Sequence, residues 1–504
     1  MTILRAVTTS ISVTFLLGVA TVTHAQYSSP NQTNILSGVI SNWTGSYDVG
    51  GYSYDCLQVS GGADLNDSGG FVGYNSSGFD SATVAGSGTI WRNFGTLYVG
   101  WNGNSNSLQV LNGGLLISEG GYIGLGYGNS NSVLISGTQS VWSNTPGDGV
   151  SINANGYGNS LTVSNGGTFR TSGLNIGSYD TVQVTGIGSV LTNDSGLVLD
   201  GNYCQMNVVA GATVFDQGGY ISDGGNNNSV VVIGATWNNS GSLTIDGPVN
   251  SFLVSSGAVV NSQNAYIGYG NGDYGDAALL TGIGTIWSNS ANLYVGYQSS
   301  ANTLTISNHA MLFVGGTLSV YGGGTLTASS GSLTGTVLFA NNGATYLESG
   351  TSLSANSISN TGEVVVNNSS IWLTGQSNVN TGTITLTGGT VNLLGTCVFN
   401  NFGTINAIDG NIGVSNSAVF NNYGTVLTSN NIPVMTSIVI SGSDVHVSFR
   451  TGQGGSYAVE YSGDLVNWTT LEDGIPGTNG IITVVDPGAA TLTQQFYHAL
   501  LHLP

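Results

Sequence analysis

Between residues 97 and 144 the chain alternates apolar and polar positions in six short runs. They are Leu97-Tyr98-Val99, Ser107 to Leu111, Leu115 to Ser118, Tyr122-Ile123, Ser132 to Ser136 and Ser140 to Ser143. A period of two with β-branched and aromatic residues, bounded by Gly, Asn and Ser, predicts strands and tight turns. The 3.6-residue period of a helix is not visible here. Six strands in about 49 residues make two coils of three strands, the signature of a right-handed, three-sided parallel β-helix.

The same cadence runs from residue 31 to about 310. Tryptophan marks it, at Trp43, Trp91, Trp142, Trp237 and Trp287, with intervals of 48, 51, 95 and 50 residues. Leu191 fills the double interval. A fixed period of this length predicts a solenoid rather than several separate domains. From about 311 to 430 Asn-x-Gly phrases recur instead, at Gly362, Gly382, Gly403 and Gly424. These predict the same solenoid with coils of about 20 residues. Some 400 solenoid residues predict a rod of order 80 Å, at one strand spacing per coil.

Stacked coils place equivalent residues above each other. Trp91, Trp142, Trp237 and Trp287 are therefore expected inside, because large aromatics supply much of the buried apolar area. Asn93, Asn144, Asn193, Asn239 and Asn289, two residues after each column member, are expected to satisfy turn backbone groups.

Ile432-Pro433 ends the repeats. The non-repetitive segment 431–504 carries strand patterns at Ser437 to Ser441, Val445 to Phe449, Tyr457 to Tyr461, Ile481 to Val485 and Gln494 to Leu501, which suit a small β-sandwich. At the other end, Arg5, the apolar stretch Ile11 to Ala20 and the small-x-small site Thr23-His24-Ala25 predict a signal peptide over 1–25. The mature chain is then expected in the medium or at the cell surface, with no membrane-spanning segment.

Composition narrows the partners. There is no Lys, the basic residues are Arg5, Arg92, Arg170 and Arg450, and the net charge is −20. Nucleic acid is excluded as a partner, since phosphate neutralisation needs clustered Lys and Arg. Cys56, Cys204 and Cys397 are an odd count. The first two fall about three repeats apart, roughly 29 Å along the axis, too far for a disulfide.

Candidate chemistry is sparse. Tyr74, Trp101, Tyr127, Tyr157, Tyr269 and Tyr297 follow strand-end glycines, predicting an exposed stripe in every second coil on which sugar rings could stack. The competing reading is that they cover one another at a corner. Asp273 and Asp276 resemble a calcium loop, with an ordinary polar turn as the alternative. Catalysis finds little support. A polysaccharide lyase needs a base and cations, and a glycosidase needs two carboxylates held together. Among the arginines only Arg92 and Arg170 lie in the regular solenoid, neither beside an acidic cluster. His309, His446, His498 and His502 are too scattered for a metal cluster.

The phrases Gly-Thr-Ile-Trp-x-Asn, Leu-Tyr-Val-Gly and Leu-Thr-Val-Ser-Asn-Gly-Gly resemble the PEP-CTERM / type V secretion (autotransporter)-associated repeat. The resemblance covers about 80–310 well and 311–430 loosely. The tail, with Tyr457 to Ser462, Asp464 to Trp468 and Phe496-Tyr497, resembles a C-terminal β-sandwich module of secreted Verrucomicrobia proteins. It departs from the family in lacking a terminal Pro-Glu-Pro sorting motif, and the tail is too short for a transmembrane barrel. The resemblance implies an exported β-solenoid without catalytic residues, in a structural or adhesive role. A glycan-binding module and a divergent polysaccharide-degrading enzyme stand as alternatives.

Overall fold

A computed structural model describes residues 27, 29–144, 148–152, 155–222 and 224–502. The expected signal peptide, 1–25, lies outside the described residues. The chain is all-β. Its main body is a parallel solenoid of about 17 turns, joined into one 48-stranded sheet. Pairing follows a fixed rule over the first three hundred residues: each strand pairs with the strand three further on. Ser107–Leu111 therefore lies on Ser132–Ser136, Leu115–Ser118 on Val141–Asn144, and Gly120–Ile123 on Val150–Ile152. These three strands define the first, second and third faces of a coil.

Every register is parallel and in phase, so the inward side chains form continuous columns. On the first face Leu108, Val133 and Leu161 stack, all fully buried. Alternation in the sequence is thus alternation of inside and outside, and a one-residue slip would expose the whole column. Coil length varies without disturbing this. Register partners Ser132 and Ser160 are 28 residues apart, and Ser160 and Thr181 are 21 apart. Together these two coils keep the 49-residue beat, because the excess is absorbed in loops at the corners.

From Thr325 the coils shorten, with register partners 18 to 22 residues apart. The structure shows how. The corner loop disappears and one strand serves two faces. Ser332–Asn341 pairs with Met311–Val314 through its first half and with Thr317–Val320 through its second. Thr404–Val414 likewise runs 11 residues along Thr383–Leu393, with register shifts at the bend. Asn341, Asn360, Asn380, Asn401 and Asn422 pass an amide hydrogen bond from each coil to the next at 2.7–2.8 Å. This chain of amides is what the Asn-x-Gly phrases encode.

The C-terminal segment forms two three-stranded antiparallel sheets. One holds Val434–Ser441, Asp444–Arg450 and Ile481–Asp486, and the other Thr469–Pro476, Ser456–Ser462 and Phe496–His502. Val447, Phe449, Tyr457 and Val459 fill the space between them. Thr469–Pro476 has no counterpart in the sequence reading, because Glu472, Asp473, Gly474 and Pro476 disguise it. The Tyr457 hydroxyl donates to the Asn431 carbonyl at 2.8 Å and accepts from the Gly452 amide at 2.8 Å, tying the sandwich to the chain leaving the rod.

Candidate functional site

The tryptophan column is internal. Trp91, Trp142, Trp237 and Trp287 are fully buried on the second face, and Leu191 holds the same column. Burying about 200 Å² of indole contributes on the order of 5 kcal/mol before entropic losses. Trp43 does not belong to the column. Ser41 occupies that register opposite Leu65, and Trp43, two residues later, is only partly buried and donates to the Ser41 hydroxyl at 3.0 Å.

Each buried indole draws on the coil before it. Trp91 Nε1 donates to Asp67 at 2.6 Å, Trp142 to Ser118 at 2.9 Å, Trp237 to Asp216 at 3.0 Å and Trp287 to Ser262 at 3.2 Å. Ahead of Trp142 and Trp237 that preceding coil also yields space on the third face, whereas ahead of Trp287 the position holds Ala265. A Cβ on Gly121 would stand 2.9 Å from the Trp142 ring, and one on Gly219 3.0 Å from Trp237. Their register partners one coil on are the larger Val150 and Leu243. Ahead of Leu191 there is no indole to seat, and that coil has Leu174 in place of the glycine. The 49-residue period is therefore a pair of unlike coils, one providing the Trp and the other its acceptor and its room.

The asparagines of this column sit at the register of those acceptors. Asn93, Asn144, Asn239 and Asn289 partner Asp67, Ser118, Asp216 and Ser262. Their bonds are mostly to their own turns. Asn93 accepts from the Gly95 amide at 2.9 Å and Asn239 from the Gly241 amide at 2.8 Å. Asn289 accepts from the Ser262 hydroxyl at 2.6 Å.

A second polar column lies at the corner leading into the first face. Asp55 N–H donates to Asp80, Asp80 to Asn106, Asn106 to Asn131, Asn131 to Asn159 and Asn159 to Asp180, all at 2.7–3.0 Å. Above Cys204 it resumes through Asn228, Asn250, Asp276 and Asn302. All are buried, and each side-chain oxygen satisfies a backbone N–H that would otherwise be orphaned. Cys204 interrupts the ladder, its thiol donating to the Gly177 carbonyl at 3.0 Å.

This ladder settles where the expected calcium residues stand. Asp276 is a rung, accepting the Asn250 backbone and side-chain amides at 2.9 and 3.2 Å. Burial pushes its carboxyl up to about 7. Asp273 instead shares a hydrogen bond with Asp246, whose carboxyl is raised first by burial and then by that neighbour. No group of three or more metal-ligating side chains is assembled among the described residues. The three cysteines are free, with Cys204 and Cys397 buried.

The turn aromatics fall into separate groups in adjacent coils, not a stripe in alternate ones. Tyr74 and Trp101 are register partners, 5.7 Å apart and edge to face. They flank a stack of strand rings, Phe71 on Tyr98 at 4.9 Å and Tyr98 on Tyr122 at 5.5 Å. Tyr269 and Tyr297 stack at 5.6 Å beside the strand pair Tyr266 and Tyr294, which stack at 4.9 Å, and Tyr321 closes the edge of this cluster. In both clusters ring faces largely cover one another. Tyr127 and Tyr157 differ. They stand on loops, 78% and 61% exposed, each held by a backbone N–H to an Asn of the coil before. The strand rings went unread because they look like ordinary outward positions. The repeated Tyr-Val and Tyr-Ile pairs were their only signal.

Compared with known proteins, the chain matches no protein-family model, and no curated protein is significantly similar to it. The fold and its surfaces carry the functional argument.

Proposed function

We propose that this protein is an exported rod with a structural or adhesive role, presenting a repetitive surface to extracellular or cell-surface partners. The observation that carries this reading is the unbroken solenoid of about 17 turns, on which outward positions repeat in register every coil. Repetition at one strand spacing suits many weak contacts, whose combined strength exceeds any single one. The net charge of −20 without a single Lys keeps the rod soluble and turns it away from polyanions. No helix among the described residues is long and apolar enough to cross a membrane.

Fractionation of cells producing the protein tests the location, with the mature chain expected in the medium or on the surface after cleavage near Ala25. A deletion strain is expected to lose attachment or matrix cohesion. Turnover of any member of a polysaccharide panel by the purified protein would move the reading to a degrading enzyme.

A second reading, a glycan-binding module, is favoured by Tyr127 and Tyr157, whose rings are the most exposed of the turn aromatics. Glycan-array binding weakened by Trp101→Ala and Tyr127→Ala supports it, and binding unchanged by both removes it.

A further inference from the structure

One cleft of about 290 Å³ lies away from both aromatic clusters, at the corner between the second and third faces. It spans three successive coils, and Thr192, Asp194, Phe215, Gln217, Asn238 and Ser240 line it. Its size is at the low end for small-molecule sites, suited to one ring rather than to a large cofactor.

The chemistry of the lining is specific. Thr192, Phe215 and Asn238 are successive register partners on one outward row. Phe215 is 43% exposed, a large apolar ring set between a hydroxyl and an amide. Its neighbours in that row do not cover it, in contrast to the stacked tyrosines. The Asn238 side-chain oxygen accepts from Asn261 Nδ2 at 2.8 Å, which leaves the Asn238 amide N–H groups as its donors. Asp194 and Gln217 stand at the register one residue beyond the buried Asn193 and Asp216, and both are exposed. The Ser240 hydroxyl donates to the Asp216 carbonyl at 3.2 Å and so faces the cleft as an acceptor.

A flat apolar ring beside a carboxylate, two amides and hydroxyls is what a pyranose asks for. The sugar's C–H face lies on the aromatic ring, and its equatorial hydroxyls reach the polar groups around the rim. We infer that this cleft is a subsite for a neutral hexopyranose unit of an extracellular polysaccharide. The neutral class follows from Asp194 in the rim and from the net charge. The larger cleft of about 450 Å³ around His309, Met311 and four serines has no aromatic platform and does not fit this ligand. The inference shares its ligand class with the glycan-binding reading but places the site elsewhere.

The test is calorimetric titration of the full chain with neutral hexasaccharides built of hexopyranoses (β-glucan, α-glucan, galactan and mannan types). An acidic uronate hexasaccharide serves as counter-probe, because Arg170 stands two rungs from Phe215 on the same row, roughly 10 Å away. Binding of a neutral probe is expected, weakened at least tenfold by Phe215→Ala and retained by Phe215→Tyr, with unchanged melting in both. Binding lost with Trp101→Ala and Tyr127→Ala but unaffected by Phe215→Ala overturns the cleft and leaves the turn aromatics. Preference for the uronate overturns the ligand class, and no binding by any probe overturns both sites.

Discussion

The indole nitrogen of Trp91 donates to the carboxyl of Asp67, one coil earlier, at 2.6 Å inside the rod. Burial pushes that carboxyl up to about 8, although the indole bond itself favours its ionised form. Trp91→Phe leaves a buried acceptor unpaired and a gap beside the ring. The expected cost is about 2–4 kcal/mol in urea unfolding. Asp67→Asn keeps an acceptor of the same shape without the cost of holding a proton on a buried carboxyl, and is expected to raise stability at pH 7. A larger loss from Asp67→Asn than from Trp91→Phe would contradict this account.

Stability is expected to fall with rising pH. Buried Asp67 is raised to about 8, Asp216 and Asp276 to about 7 and Asp80 to about 6. A carboxyl raised in the folded state binds its proton there while the unfolded chain has released it. Its contribution is complete below about pH 4 and is lost as pH climbs to about 8. The rod should therefore melt higher at pH 5 than at pH 8.5. The triple variant Asp67→Asn, Asp216→Asn, Asp276→Asn should flatten that dependence. A wild-type melting point that rises over this interval refutes the assignment.

The gap in the corner ladder offers a gain. Cys204→Asn offers the Asp180 N–H, which now donates to the Gly177 carbonyl at 3.2 Å, the side-chain oxygen its ladder equivalents use, and is expected to add at most about 1 kcal/mol. Asn131→Ala does the reverse. It removes the acceptor of the Asn106 N–H at 3.0 Å and the donor to Gly103 at 3.0 Å, at about 2–4 kcal/mol. Denaturation midpoints of the two variants, on opposite sides of wild type, check the pair.

Room for the indole is a separate requirement. Gly121→Ala places a methyl 2.9 Å from Trp142 and is expected to cost about 1–3 kcal/mol. In the background of Trp142→Leu the same methyl should cost little. A double-mutant cycle measures the difference, and simple additivity would show that the two do not compete for space.

Much of the architecture was legible in the chain. Ser107–Leu111, Leu115–Ser118 and Ser132–Ser136 match the sequence reading residue for residue. The reason is physical: in-phase stacking leaves one inside and one outside position, so alternation alone identifies the strand. The corner ladder was harder to see. Its rungs change between Asp, Asn and Cys, and coils of 21 to 28 residues hide the spacing until register aligns them. Asn106 and Asn159 were visible in their Asn-Ser-Leu phrases, yet nothing in those phrases showed that the two were buried. Trp43 went wrong for the converse reason. It keeps the interval but misses the register by two residues, and interval is not register where loops vary. The cleft at Phe215 had no sequence signal, because a lone outward Phe acquires meaning only from the coils on either side.

The pairing of unlike coils also bears on how such a chain can lengthen by duplication. Copying a single coil would set a tryptophan against another tryptophan, or leave an acceptor without its indole, and either arrangement packs badly. Copying two coils inserts a complete unit with every partner in place. Within the tryptophan-bearing coils, lineages of this rod should therefore differ by even numbers of coils, each step moving its far end by about 10 Å.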